Sequence, residues 1–190
     1  MSWLEPQVVL DGHGVGEQTA SRHRDTTPAR KTDQYKLQPT PTQERALEEV
    51  LWRCRVLYNC ALEQRITWWR RGQGKGATRF QQEAELKELQ AAFPEYAAMH
   101  SHVLQDVLVR LDRTYQAFFR RLASGEQPGF PRFQGRTRYH SFTYQEYGNG
   151  ARLDKGYLVL SKLGRLAVRW SRPLMGTIKT VTISCAPDGW

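Results

Sequence analysis

The sequence predicts an α+β fold: a small β-barrel interrupted by a helical insertion, with a disordered N-terminal extension. Three observations lead there. A lone strand-like run near residue 35 is followed by a long block of helical periodicity. After Ser124-Gly125 the period shortens to alternating runs separated by Gly-containing turns. The positive charge is also uneven. Residues 128–190 hold ten Lys/Arg against three Asp/Glu, whereas residues 34–127 hold fourteen against eleven.

The extension is residues 1–33. It is polar, mixed in charge and without periodicity, with four basic and five acidic residues. It reads as a disordered extension or upstream read-through, or as a functional arm, and adds nothing to the positive excess. QYKLQ (34–38) is the first strand, so the barrel's opening part is 34–40. PTPTQE then starts a helix. Thr40 can cap it, Pro41 suits the first helical position and Gln43 completes a capping box. Leu47, Val50, Leu51, Cys54, Leu57, Tyr58, Ala61 and Leu62 follow on one face. This helix is expected to run to about Arg70 and to stop before GQGKG, a flexible break.

A second helix is expected from about Thr78 to Ala92, ending before Pro94. A third runs from about Ser101, read as its N-cap, to Leu122. Its apolar stripe is Leu104, Val107, Leu108, Leu111, Tyr115, Phe118, Phe119 and Leu122. Arg110, Arg113, Arg120 and Arg121 fall on the opposite side. They are either a solvated charged face or phosphate contacts, and Asp106 alone shares their sector. The helical block is thus 41–124. SFTYQ, GYLVLSKLG, RLAVRW and GTIKTVTIS, within 125–190, supply the remaining strands.

A formal charge of +9 and a pI near 9.7 point to a polyanionic partner. Three cysteines without paired spacing argue against a disulfide framework or a thiolate zinc site and suit a reducing compartment. No apolar run reaches transmembrane length, and the N-terminus lacks signal-peptide features. A cytoplasmic chain with no membrane partner is expected.

Catalytic signatures are weak. His100-Ser101-His102 looks like a paired-histidine metal motif, but the pair abuts a helix instead of alternating on a strand. GQGKG lacks the spacing of a phosphate-binding loop. No GxSxG elbow is present. The expected strands offer only Asp154 and Asp188 as carboxylates, both near turns, so no two-metal nuclease centre is expected. No cofactor or metal is expected either.

The remaining chemistry lies in GFPRFQGRTRYHSFTYQ (129–145). Arginine offers charge and a bidentate fork to phosphate. Aromatic rings stack on unpaired bases, and the interleaving of the two suits RNA. In this reading the phenylalanines of GFPRF pack inward, while Arg132, Arg136 and Arg138 face the partner.

Several segments, in order, resemble the N-terminal half of TnpB, the OrfB-type transposase family of bacterial insertion sequences. They are YKLQPTPTQ (35–43), CRVLYNCAL (54–62) with its R-x-x-Y-N-x-x-L pattern, HVLQDVLVRLDRTYQAFFRR (102–121), PGFPRF (128–133), SFTY (141–144), LSKLGRLAVR (160–169) and PLMGTIKTVTI (173–183). The resemblance covers about residues 34–190. It implies a wedge-type β-barrel interrupted by a helical recognition block, whose first helices carry the name helix-turn-helix. It implies a place among RNA-guided DNA endonucleases, with a transposon-derived guide RNA and target DNA as partners. It also implies that the RuvC-like nuclease and its zinc ribbon fall outside this chain.

The expectation is therefore a nucleic-acid-binding part of such a transposase, not itself an enzyme. The alternatives are a subunit completed in trans by a separate nuclease chain, or an inert transposon relic. Nucleic-acid contact is expected from Lys36, Arg132, Arg136, Arg138, Tyr144, Lys162, Arg165, Arg169 and Lys179 in the β region. The helical candidates are Arg110, Arg113, Arg120 and Arg121. Arg55, Tyr58 and Asn59 are further candidates, with bracing of the fold as the other role for Arg55 and Asn59.

Overall fold

Alternation of apolar and polar residues sets the sheet. In the computed structural model, which describes residues 6–13, 30–72, 76–186 and 190, Val8 and Leu10, Tyr35 and Leu37, Leu158 and Leu160, Leu166 and Val168, and Val181 and Ile183 all turn to one buried side. Residues between them turn outward, as the two-residue period of a strand requires. Seven strands result: β1 Pro6–His13, β2 Arg30–Gln38, β3 Ser141–Tyr144, β4 Ala151–Asp154, β5 Tyr157–Leu160, β6 Gly164–Arg169 and β7 Thr177–Cys185. They form one sheet in the order β3-β7-β1-β2-β6-β5-β4.

The sheet is nearly closed. After β3 the chain reaches across the gap: Tyr147 N–H donates to the Lys179 carbonyl of β7 at 2.8 Å, and Tyr147 bridges to Ala151 at the start of β4. The expected strands are therefore present in a barrel-like arrangement. Two strands were not expected. β1 lies inside the supposed disordered extension, yet it sits between β2 and β7 and pairs with both. Its apolar signal, Val8 to Leu10, is too short to read alone; long-range pairing on both edges makes it a strand. The rest of that extension, 1–5 and 14–29, lies outside the described residues, as does most of the GQGKG break. β2 also begins at Arg30, earlier than position 34.

The other unexpected strand is β4, a four-residue run. It is joined to β5 by Lys155 (φ 47°) and Gly156 (φ 82°). Two positive φ values in a two-residue loop fit a type I′ hairpin turn. Gly156 also accepts from Trp170 Nε1 at 2.9 Å. Gly156→Ala is expected to cost about 1 kcal/mol, because an L-residue is strained at positive φ. A chemical denaturation curve with an unchanged midpoint would contradict this.

Four helices complete the fold: α1 Pro41–Arg71, α2 Arg79–Ala92, α3 Pro94–Ala97 and α4 Ser101–Ala123. The Thr40–Gln43 capping box opens α1, with Thr40 N–H donating to Gln43 Oε1 at 3.0 Å. A second box, Thr78 with Gln81, opens α2. The cap of α4 is His100, not Ser101: His100 Nδ1 accepts from the His102 N–H at 3.2 Å. An imidazole acceptor does there what a serine hydroxyl would otherwise do.

The chain divides into two compact units, Met1–Arg45 with Thr143–Trp190, and Ala46–Phe142. The first holds most of the sheet and the start of α1; the second holds the rest of the helices and runs on to Phe142. In that second unit the buried faces of α1 and α4 supply the core: Leu47, Cys54, Leu62, Leu104, Val107 and Leu111 are nearly inaccessible to solvent. Burial pushes the Cys54 thiol far above its usual range, so it acts as an apolar core residue.

Candidate nucleic-acid interface

The arginine-bearing segment after α4 is held to the helices at three points. Asn59 on α1 makes a reciprocal pair with the Gln134 backbone. Its Nδ2 donates to the Gln134 carbonyl at 3.1 Å and its Oδ1 accepts from the Gln134 N–H at 2.8 Å. The Tyr58 ring packs against Tyr139, centroids 5.9 Å apart. Arg110 on α4 donates from Nη1 to the Ser141 carbonyl and hydroxyl, at 2.8 and 2.9 Å. Between these points Arg138 and Tyr139 N–H both donate to the Gly135 carbonyl, forming a tight turn.

This arrangement leaves Arg132, Arg136 and Arg138 exposed, without an ion pair among the described residues. Stretch 129–145 itself contains no acidic residue. Tyr139 is buried, and burial raises its hydroxyl pKa far above the ordinary tyrosine range. It stays neutral, so the charge offered by this segment is cationic.

Three expected contact residues are thereby reassigned within the structure. Tyr58 is buried and its ring lies under the segment. Asn59 is half-buried and both ends of its amide are engaged there. Arg110 pairs with Asp106 at 2.6 Å, the very residue that shares its helical sector, and its guanidinium lies 5.7 Å from the Tyr139 ring. The i,i+4 pair with buried Asp106 and the two bonds to Ser141 hold this guanidinium against the segment. Arg55 is half-buried. Arg113, Arg120 and Arg121 remain exposed, the last two in the final turn of α4.

The phenylalanines of GFPRF do not pack inward as expected. Phe130 and Phe133 are exposed, because the segment is anchored through Asn59, Tyr58 and Arg110 instead. Asn59→Ala removes two partly buried hydrogen bonds and is expected to cost about 1–2 kcal/mol. Hydrogen exchange should then speed up at the amides of residues 132–138, while the middle of α4 stays protected. Equal acceleration in both places would show general destabilisation instead.

A second cationic surface lies in the sheet unit. Lys36 stands directly opposite Arg169 in the β2–β6 pair, and Arg165 opposite Val159 in the β5–β6 pair. Arg152 is opposite Val159 across β4–β5. All four cations share the outward face with Tyr157, whose ring lies 4.7 Å from the Arg165 guanidinium. Asp154 is 3.9 Å from Arg165. The Gln43 amide donates to the Arg165 carbonyl at 2.7 Å, fixing that strand. Like charges directly opposite one another destabilise a strand pair. Arg152 was not legible as a candidate because β4 was not.

Lys162 is exposed at positive φ in the β5–β6 turn. Lys179 is exposed at the irregularity in the β1–β7 register. Tyr144, an expected contact residue, is buried; its hydroxyl is 3.4 Å from the Ser161 carbonyl. The inward side of β3 takes it, so it cannot stack on a base. Among the described residues no three His, Cys, Asp or Glu side chains converge as a metal site would need. The His100 and His102 rings meet edge-on at 5.0 Å. No helix is long and apolar enough to cross a membrane among those residues.

The OrfB-type family described as a helix-turn-helix domain matches residues 30–74. Here the described part of that stretch is strand β2 and one unbroken helix, α1. InsQ of Escherichia coli (strain K12), a candidate RNA-guided DNA endonuclease, is 37% identical over 92 residues, covering 47% of this chain and 21% of InsQ. A candidate RNA-guided DNA endonuclease of Streptomyces pristinaespiralis is 30% identical over 160 residues, covering 81% of this chain and 37% of that protein. The chain thus spans a fifth to little more than a third of the length of these relatives.

Proposed function

This chain belongs to the TnpB/OrfB-type insertion-sequence transposase family, and from that premise we propose that its 190 residues hold guide RNA and target DNA through their sugar-phosphate backbones. The observation that carries the reading is the mounted arginine segment. Asn59, Tyr58 and Arg110 are occupied in holding a segment whose exposed side chains include three arginines without ion-pair partners among the described residues. A cationic array held in fixed geometry recognises backbone shape and charge more than base sequence. Lys36, Arg152, Arg165 and Arg169 on the sheet provide a second backbone-contacting surface. Arg113, Arg120, Arg121, Lys162 and Lys179 add to the field around them.

In this reading the chain contributes binding, and phosphodiester cleavage belongs to residues it does not contain or to a separate chain. The similarity to RNA-guided endonucleases supports guide RNA as one ligand. Binding of labelled structured RNA, single-stranded DNA and duplex DNA over a salt series tests the proposal. Affinity for structured RNA should fall linearly with salt on logarithmic axes, with a slope that reports several phosphate contacts. A flat response, or no binding at low salt, would sink it.

A further inference from the structure

We propose that an aromatic groove in the helical unit takes unpaired bases of a single-stranded nucleic acid, a proposal that rests on the nucleic-acid reading above. The apolar stripe of α4 predicts burial to Leu122, but full burial stops at Leu111. Beyond it Phe119 is 51% exposed. Three other elements bring aromatic side chains to the same place: Trp69 near the end of α1 (56% exposed), Phe80 in the first turn of α2 (71%) and Phe130 after α4 (48%). Together they line one cavity of ≈ 1190 Å³. An exposed aromatic cluster of this extent is a recognition surface, not a leftover of the core.

The wall is rigid. Phe130 stands edge-on to Tyr115 at 5.8 Å and to Phe118 at 5.4 Å, and Phe118 meets Phe119 at 5.3 Å. Rings held this way present π surface without further loss of side-chain freedom on binding.

The floor is polar. Arg65 lines the cavity and is nine-tenths buried. Gln82 and Asp112 engage its Nε and Nη1, at 2.8 and 3.2 Å, and its guanidinium lies 5.1 Å from the Tyr115 ring. Its Nη2 is buried without a hydrogen-bond partner. At the rim, Arg70 lines the cavity, is exposed and makes no ion pair among the described residues.

These features select the occupant. An apolar peptide would cover the rings but offer nothing to the rim cation Arg70. An unstacked strand offers both complements: π faces to the rings and phosphates to Arg70.

The test uses the intact chain with two labelled 12-mers, oligouridine RNA and an abasic strand of the same length and charge. Wild type should bind oligouridine about tenfold or more tightly than the abasic strand at equal salt. Phe80→Ala/Phe119→Ala should erase that difference and leave abasic binding and its salt slope unchanged. Both rings are exposed, so the thermal melt should stay cooperative; if it does not, Trp69→Ala alone carries the same comparison.

Equal binding of both strands by wild type would overturn the groove and leave the nucleic-acid reading standing. Failure of both strands to bind, even at low salt, would overturn both. Retained discrimination in the variants would also overturn the groove. So would self-association in sedimentation that the variants abolish, since a second copy would then fill it.

Discussion

Replacing Arg132, Arg136 and Arg138 together by glutamine is expected to weaken binding of structured RNA by about 100-fold at 0.1 M salt, with the melting temperature nearly unchanged. Each phosphate contact on a single strand contributes about 0.7 to the logarithmic salt slope. Three contacts therefore account for about two units of slope, and at 0.1 M for about two decades of affinity. All three side chains are exposed and carry no ion pair among the described residues, so their loss should disturb little inside the fold. The anchors Asn59, Tyr58 and Arg110 are untouched, and the backbone of the segment should stay in place. Titration across a salt series checks both numbers. Unchanged affinity and slope would remove this segment from the interface. A collapsed melt would show that the arginines support the fold instead.

Arg65→Met should produce the largest loss of stability, about 3 kcal/mol. Arg65 links three helices: its own α1, α2 through Gln82 and α4 through Asp112. Gln82 is itself buried and donates to the Ala61 carbonyl at 2.9 Å and to Gln64 Oε1 at 2.8 Å. Methionine keeps much of the volume but leaves Asp112 without its cation and Gln82 Oε1 without its donor. Orphaned groups cost more than the original interaction was worth. Asp112 keeps some access to water, which holds the estimate at the lower end of the range for buried pairs. The melting temperature should fall by about 10 °C. Adding Asp112→Leu should restore part of the loss, because the stranded carboxylate disappears with it. Strictly additive losses in that double-mutant cycle would contradict the coupling.

Legibility from sequence differed by element. The long helices were plain because Leu47 to Leu62 and Leu104 to Leu111 repeat at 3.6 residues and because capping boxes mark two of the starts. β5, β6 and β7 were plain by alternation. β1 and β4 were not: each is short, and each is stabilised by partners far away in sequence or by a tight turn. The exposed arginines of 132–138 were legible from composition. Tyr58 stood on the apolar face of α1, but the burial of Tyr144 and the engagement of Arg110 were not legible, because periodicity gives the direction of a side chain and not what stands opposite it. Arg65 illustrates the same limit. Its spacing after Leu62 puts it on the apolar side of α1, yet only the presence of Gln82 and Asp112 explains why a cation is tolerated there.

What the sequence determines alone is local: where helices start, which strands alternate, where cations outnumber anions, and which family the ordered segments resemble. These depend on neighbours within a few residues, so short-range rules reach them. The tertiary structure decided what the side chains meet. It turned Arg110 from the solvated face of α4 towards Asp106 and Ser141, and gave Asn59 the task of anchoring Gln134. It brought Trp69, Phe80, Phe119 and Phe130 from four segments to one groove. The physical reason is that burial, ion pairing and hydrogen bonding depend on distance in space, and 31 to 75 positions of chain separate the Arg110–Ser141 and Asn59–Gln134 partners.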